Sequence, residues 1–302
     1  MFSIVIPALN ESKSLKESNY IEELINHLNK ENYSNYEIIL VNDGSKDDTL
    51  EIFNSLKSKY DFVKVISHSI NKGYGSSLKT GITFATYDDV VITDIDGTYG
   101  PKAVTEIIKI YLKRKKNSIS GVDMVVASRK GKNLNETLFK SFLRSILKFI
   151  VEWSSGSKID DINSGLRIFS KKTMVKLFPE LSNYFSFTTT STLAYLSSNM
   201  SILYHPIEYL KREGRGTHVR LMRDSLRTLQ YVVEATIFYN PFKFFLFISI
   251  VFLFLSIISI LIFIFKQILL LKTLFLIFIF FTFFSLLIGF LGVLILKGFK
   301  IK

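Results

Sequence analysis

The sequence predicts an α/β domain with a mostly parallel sheet, continued at its carboxyl end by a pair of membrane-spanning helices, and three observations lead there. Short β-branched runs alternate with longer amphipathic segments through the first half of the chain. Two long stretches near the carboxyl end hold no charged residue. Lysine and arginine crowd the segment before the first of these stretches.

In chain order, residues 2–6, 37–41, 63–67, 90–93 and 124–127 have the short, continuous apolar character of buried strands. Residues 20–28, 49–56, 76–84 and 103–112 place apolar side chains three and four positions apart, the spacing that gives a helix one apolar face. Strand and helix in strict alternation build a parallel sheet with crossover helices. In such sheets ligands bind beyond the carboxyl ends of the strands, so the chemistry is expected at 7–11, 42–45, 68–75 and 94–101. After Arg129 the alternation weakens. Residues 134–153 are helix-like, 166–170 and 201–205 strand-like, and 188–196 fit either state.

Residues 244–265 form 22 consecutive positions without a charge, and 273–296 another 24. At ~1.5 Å per helical residue each crosses a ~30 Å hydrocarbon core. The short connection at 266–272 makes them a hairpin whose two ends share one side. Lys211, Arg212, Arg215, Arg220, Arg223, Arg227 and Lys243 precede the hairpin, and Lys297, Lys300 and Lys302 follow it. The positive-inside bias places that side in the cytosol, in an integral protein of the cytoplasmic or an equivalent membrane. Residues 220–239 mix basic and apolar positions at helical spacing and lead into Pro241, as a helix lying in the interface does.

The formal charge of +12 is concentrated beside the hairpin, where anionic lipid headgroups attract it. No basic patch interleaved with aromatics argues for nucleic acid. The absence of cysteine removes disulfides and thiolate zinc sites, and His27, His68, His205 and His218 form no local ligand motif.

Asp94 and Asp96, in Asp94-Ile95-Asp96-Gly97 at the end of a strand, are hard oxygen donors suited to Mg²⁺ or Mn²⁺ shared with substrate phosphates, or else solvated turn residues. Asp43, in Val41-Asn42-Asp43-Gly44-Ser45, is either a turn residue or an acceptor for a base N–H of uracil or guanine. Asn71-Lys72-Gly73-Tyr74-Gly75 offers a glycine turn into a helix, where amides and Lys72 could meet phosphate, yet it fits neither the dinucleotide nor the P-loop fingerprint.

These pieces come in a telling order. Ile4-Val5-Ile6-Pro7-Ala8-Leu9-Asn10-Glu11, the Asp43 turn, the Gly73 turn and Asp94-Ile95-Asp96 are followed by Ala127-Ser128-Arg129 and by Asp161-Ile162-Asn163-Ser164-Gly165-Leu166-Arg167. The series resembles the family 2 glycosyltransferases, and within them the dolichyl- and polyprenyl-phosphate enzymes, over essentially the whole chain. The resemblance implies a GT-A catalytic domain at 1–220, interfacial helices at 221–243, and a hairpin and short tail at 244–302. It implies that Pro7, Ala8, Asn10, Glu11, Asp43 and Lys72 hold the nucleotide sugar. Asp94 and Asp96 would serve diphosphate and metal, and Asp96, Arg129 and Asp161 would lie at the reaction centre. Arg167, Arg212 and Arg215 would meet the acceptor phosphate. Two alternatives stay open: Asp161 as base or as orienting group, and Arg167 as phosphate ligand or as ion-pair partner of Asp161.

Two departures qualify the resemblance. Arg212 is followed by Glu213-Gly214-Arg215-Gly216-Thr217-His218, with the family's glycine displaced and histidine in place of its lysine. Where many family 2 enzymes carry an acidic base, Phe187-Thr188-Thr189-Thr190 has no carboxylate. A phosphate monoester, already largely dianionic at neutral pH, needs no such base. The expected reaction is inverting transfer of one sugar from a UDP- or GDP-sugar to a polyprenyl phosphate at the bilayer. Transfer to a glycolipid hydroxyl and a non-catalytic membrane scaffold are the alternatives, and homo-oligomerisation is left open.

Overall fold

The structure is a computed structural model that describes residues 1–115, 121–130, 155–210 and 240–300, with single positions within 145–153 and 230–237. Arg212, Arg215 and the other basic residues from Lys211 to Arg227 lie outside the described residues. The chain divides into two compact units. One comprises Met1–Lys148 and Lys158–Tyr231; the other comprises Phe149–Ser157 and Val232–Lys302.

The first unit is built on a seven-stranded sheet: β1 (Phe2–Ala8), β2 (Tyr36–Asn42), β3 (Val63–Ser67), β4 (Asp89–Ile92), β5 (Met124–Lys130), β6 (Arg167–Ser170) and β7 (Ile202–Glu208). Their spatial order is β3-β2-β1-β4-β6-β5-β7. All pairings are parallel except those of β6, which runs antiparallel between β4 and β5. β1 and β2 are buried along their whole length, the condition under which strands lose polar alternation and read as apolar runs.

Helices α1 (Ser12–Glu17), α2 (Tyr20–Lys30), α3 (Thr49–Lys59), α4 (Tyr74–Phe84) and α5 (Pro101–Lys115) follow the strands in turn. α2 buries Tyr20, Ile21, Leu24, Ile25 and Leu28, and α5 buries Val104, Ile107, Ile108 and Tyr111, each a single stripe against the sheet. A fully buried Leu or Ile of such a stripe contributes about 1.5–3 kcal/mol. Pro101 opens α5, where its missing N–H costs nothing, and Lys113, Arg114 and Lys115 meet the negative end of the helix dipole.

After β6 come α6 (Lys171–Leu177) and α7 (Phe187–Ser197). α7 is the segment whose sequence fits helix or strand equally, because it is buried on every side and so has no amphipathic signature. β7 continues through Pro206, which an edge strand tolerates.

The topology opens a crevice at one place. From β1 the chain steps to β2 on one side, while β4 occupies the other, so connections leave in opposite directions from the carboxyl ends of β1 and β4. β1 pairs with β4 only from Ser3 to Val5. Pro7 lies beyond that pairing, on the β4-facing side of the strand, so its missing N–H breaks no ladder bond where the two strands part.

In the second unit, α8 (Pro241–Lys266) and α9 (Leu269–Lys300) form an antiparallel hairpin around a two-residue turn. Gln267 caps α8 in the left-handed region at φ 51°, and the Asn240 side chain accepts from Lys243 N at the other end. Both helices are long and apolar enough to cross a membrane, and only 17% of each apolar window is buried within the structure, unlike core helices of a soluble domain. Between them Ser249 Oγ donates to the Thr282 carbonyl at 3.1 Å. At Gly292 a Cβ would come within 2.7 Å of Pro241, so glycine allows the close approach. Phe149–Ser157 joins this unit, although the sequence places it in the catalytic domain. Trp153 Nε1 donates to the Lys243 carbonyl at 3.1 Å, and its ring and that of Phe149 pack with Phe247.

Candidate active site

The crevice holds three buried carboxylates with different partners. Asp43, at the end of β2, faces His68 Nδ1 with its Oδ1 at 2.7 Å and accepts there from Lys72 N at 2.9 Å. Its Oδ2 accepts from Gly73 N at 2.9 Å. His68 Nε2 lies 3.0 Å from Thr80 Oγ1 on α4. Asp43 thus fixes the 68–73 loop, which passes so close to Gly44 (φ +70°) that a Cβ there would sit 2.6 Å from the Ile70 carbonyl carbon. The side chain of Lys72 is exposed, and its amide, not its ammonium, meets Asp43.

The loop after β1 is fastened to the loop after β2. Asn10, at φ 53°, donates its amide to Ser45 Oγ and accepts from Lys46 N through Oδ1. Asp47 accepts from Ser12 and Thr49. Pro7 and Ala8 belong to β1, and the Ala8 carbonyl accepts from Asp43 N. Glu11 is buried, with its amide on Thr49 Oγ1 and its carboxylate accepting from Ser14. The structure therefore joins Pro7, Ala8, Asn10 and Asp43 on one wall and turns Glu11 towards α1.

Beyond β4, Asp94 is half-buried and accepts at Oδ1 from the Tyr74 hydroxyl at 2.9 Å. Tyr74 stacks on Phe185, and burial, followed by the charge of Asp94, raises its phenol well above the ordinary value. Asp94 Oδ2 lies where a Cβ on Gly165 would come within 2.5 Å, so only glycine at 165 leaves this carboxylate its place. Asp96 Oδ1 accepts from Thr98 N and Oγ1, which sets its orientation. No cluster of three histidine or carboxylate ligands occurs among the described residues. Two hard oxygen donors fit an ion that completes its shell with phosphate and water, as Mg²⁺ and Mn²⁺ do.

Asp161 pairs with Arg129, not with Arg167. Arg129 Nε donates to Oδ2 at 2.6 Å and Nη2 to Oδ1 at 2.8 Å, while the amides of Arg129 and Asn163 add 3.1 Å bonds to Oδ2 and Oδ1. The guanidinium lies over the Tyr209 ring, 5.4 Å from its centroid. Burial pushes the Asp161 carboxyl up, but the hydrogen bond and charge of Arg129 outweigh it and hold the carboxyl below its ordinary value. The same pairing raises Arg129 against its own burial.

Arg167 departs from both readings of the sequence. It is wholly buried; its Nε donates to the Ser164 carbonyl, Nη1 to Ser191 and Thr192, and Nη2 to the Ile162 carbonyl. Those bonds tie the 162–164 turn to α7, and a guanidinium with no exposed surface does not face an acceptor phosphate. Tyr74, Tyr99, Tyr209 and His68 are site residues that sequence reasoning missed. Tyr99 Oη accepts from Gly165 N at 2.8 Å, its ring standing edge-on to Tyr209. His68, Tyr74 and Tyr99 lie in the loops where the strand-end rule places the chemistry, and Tyr74 also inside the glycine turn, whereas Tyr209 carried no signal.

An α/β sheet of this topology binds its ligands beyond the carboxyl ends of its strands, at the switch point between β1 and β4. The sequence profile described as Glycosyl transferase family 2 matches residues 3–177, and the chain belongs to that family. It is a glycosyltransferase. An uncharacterised protein of Methanocaldococcus jannaschii is 33% identical over 226 residues, covering 72% of this chain and 85% of the other. The UDP-N-acetylglucosamine–dolichyl-phosphate N-acetylglucosaminyltransferase of Methanococcus voltae is 30% identical over 238 residues, 72% and 90%. Glucosyl-3-phosphoglycerate synthase of Mycobacterium tuberculosis, solved with Mn²⁺, UDP and glucosyl-3-phosphoglycerate, superposes with a TM-score of 0.54 at 18% identity, covering 78% of this chain and 80% of the other. The fold is GT-A.

Proposed function

We propose that this glycosyltransferase moves one sugar from a UDP- or GDP-sugar to a polyprenyl phosphate at the cytosolic face of the membrane, with inversion at the anomeric carbon. The observation that carries the reading is the acceptor side of the crevice. Asp161 spends all four of its acceptor positions on Arg129 and Asn163, so it holds no position ready to take a proton. α7, where a base would stand, presents Thr188 to Thr192 and no carboxylate. A hydroxyl acceptor would need a base, whereas a phosphate monoester is nucleophilic as it stands and needs positioning. The apolar hairpin supports a lipid acceptor, and the Methanococcus voltae relative is named for one.

In this reading Pro7, Ala8, Asn10 and Asp43 receive the nucleoside. Asp94 and Asp96 would hold a divalent ion, which when bound neutralises charge on the departing diphosphate. Asp161 is a positioning residue. It engages two of the five guanidinium N–H groups of Arg129, which leaves the others for phosphate oxygens. Arg212 and Arg215 remain proposed acceptor contacts, and the basic flanks of the hairpin support a cytosolic catalytic unit.

The test is transfer by purified protein in detergent with a polyprenyl phosphate and a panel of radiolabelled nucleotide sugars. One donor should label the lipid. EDTA should abolish labelling, excess Mg²⁺ or Mn²⁺ should restore it, and Asp96→Ala should abolish it. Labelling of a neutral glycolipid in preference to polyprenyl phosphate would overturn the acceptor assignment.

A further inference from the structure

The partners of Asp43 bear on which base the donor carries. An aspartate carboxylate has four acceptor positions, two on each oxygen. Here Oδ1 is used twice, by His68 Nδ1 and Lys72 N, and Oδ2 once, by Gly73 N. One position on Oδ2 is left. The side chain is only 4% exposed. His68 is itself 5% exposed in its side chain and is braced from behind by Thr80, so Oδ1 stays occupied.

Uracil and guanine differ in what they bring to such a site. Uracil presents one N–H, at N3, flanked by two carbonyl oxygens. Guanine presents N1–H and the N2 amine side by side, and it pairs with a carboxylate best when each oxygen has a position facing that edge. A site with one position leaves one guanine donor without a partner as water is excluded, and unpaired buried donors are what give polar sites their selectivity.

We infer that His68, by occupying Asp43 Oδ1, makes the donor site select uridine over guanosine nucleotides, so that the sugar donor is a UDP-sugar. The inference rests on the nucleotide-sugar reading above and narrows it. His68 is a positioning residue in it: it acts on the ligand only through Asp43.

Calorimetric titration of the full-length protein in detergent with Mg²⁺ tests it without any acceptor. UDP should bind at least about tenfold tighter than GDP, the size expected for one unpaired buried donor. Inosine diphosphate, which lacks the N2 amine, should bind tighter than GDP, and N3-methyl-UDP should bind at least about tenfold more weakly than UDP. These comparisons change the ligand and leave the protein intact. His68→Asn, which can place an amide N–H where Nδ1 stood, should keep the UDP to GDP ratio, and His68→Leu should bring it towards unity. A general loosening of the loop would weaken both nucleotides and leave their ratio alone. Equal or tighter binding of GDP overturns the inference while the nucleotide-sugar reading stands. Failure of every nucleotide to bind overturns both. An unchanged ratio in His68→Leu overturns the role of His68.

Discussion

Asp43, just beyond the end of β2, and Asp161, in the segment that precedes β6, are both buried and both ringed by donors, and they are held in different ways. Asp43 is held by two backbone amides and an imidazole and keeps one acceptor position in reserve. Asp161 is held by a bidentate guanidinium and two amides and keeps none. A carboxylate tied to its own loop can still read a ligand, while one saturated by an arginine can only orient that arginine. Burial alone therefore says little about the role of a site acid; the number of positions left over says more.

The comparison is broken most severely at Arg129. Arg129→Ala leaves the Asp161 charge buried without its counter-ion, which should cost about 3–5 kcal/mol of stability in the catalytic unit. Denaturant unfolding read on that unit measures it, and a loss under about 1 kcal/mol would mean water replaces the guanidinium freely. Turnover should fall with it, since the proposed phosphate contacts of Arg129 go too.

Asp161→Asn sharpens the distinction between base and positioning residue. The amide keeps the size of the side chain and part of its bonding to Arg129, so turnover should fall by about tenfold with the shape of the pH–rate profile preserved. General-base roles carry about 10²–10⁴-fold. A fall of that size with loss of the acidic limb of the profile would make Asp161 the base.

The smallest effect is a pH effect on stability. The folded Asp161 carboxyl lies below its ordinary value because Arg129 more than offsets burial. A depressed folded value stabilises the fold above the unfolded pKa of about 3.9, and that stability is lost as pH falls through the folded value. The difference in melting temperature between the wild type and Asp161→Asn should stay level from about pH 7 to pH 5 and close below about pH 4. A difference that already closes near pH 6 would mean the pairing is too weak to depress the carboxyl.

What could be read from the chain alone follows from local chemistry. Apolar runs and apolar stripes have fixed periods, so β1 to β5 and α2 to α5 were legible, as was the hairpin, whose two charge-free stretches are each long enough to cross a membrane. Local signal vanished where an element is buried all round, which is why α7 was ambiguous, and where pairing is non-local, which is why nothing in Arg167–Ser170 announced an antiparallel strand between β4 and β5. Asp43, Asp94 and Asp96 were likewise visible as acids at strand ends, and Asp161 as part of a motif. Their roles were not, because a role depends on what lies across the crevice: Tyr74 and Gly165 on Asp94, Arg129 on Asp161, His68 on Asp43. Arg167 shows the same limit from the other side, since a guanidinium reads as a phosphate ligand in sequence and becomes a buried brace only once α7 folds over it. Sequence alone determined the family, the parallel strands β1 to β4 and the apolar helical hairpin, because each rests on periodicity, composition or the order of short motifs. Only the tertiary structure decided which carboxylates have an acceptor position to offer, because that is settled chiefly by distant partners, 25 residues along the chain for His68 on Asp43 and 32 for Arg129 on Asp161.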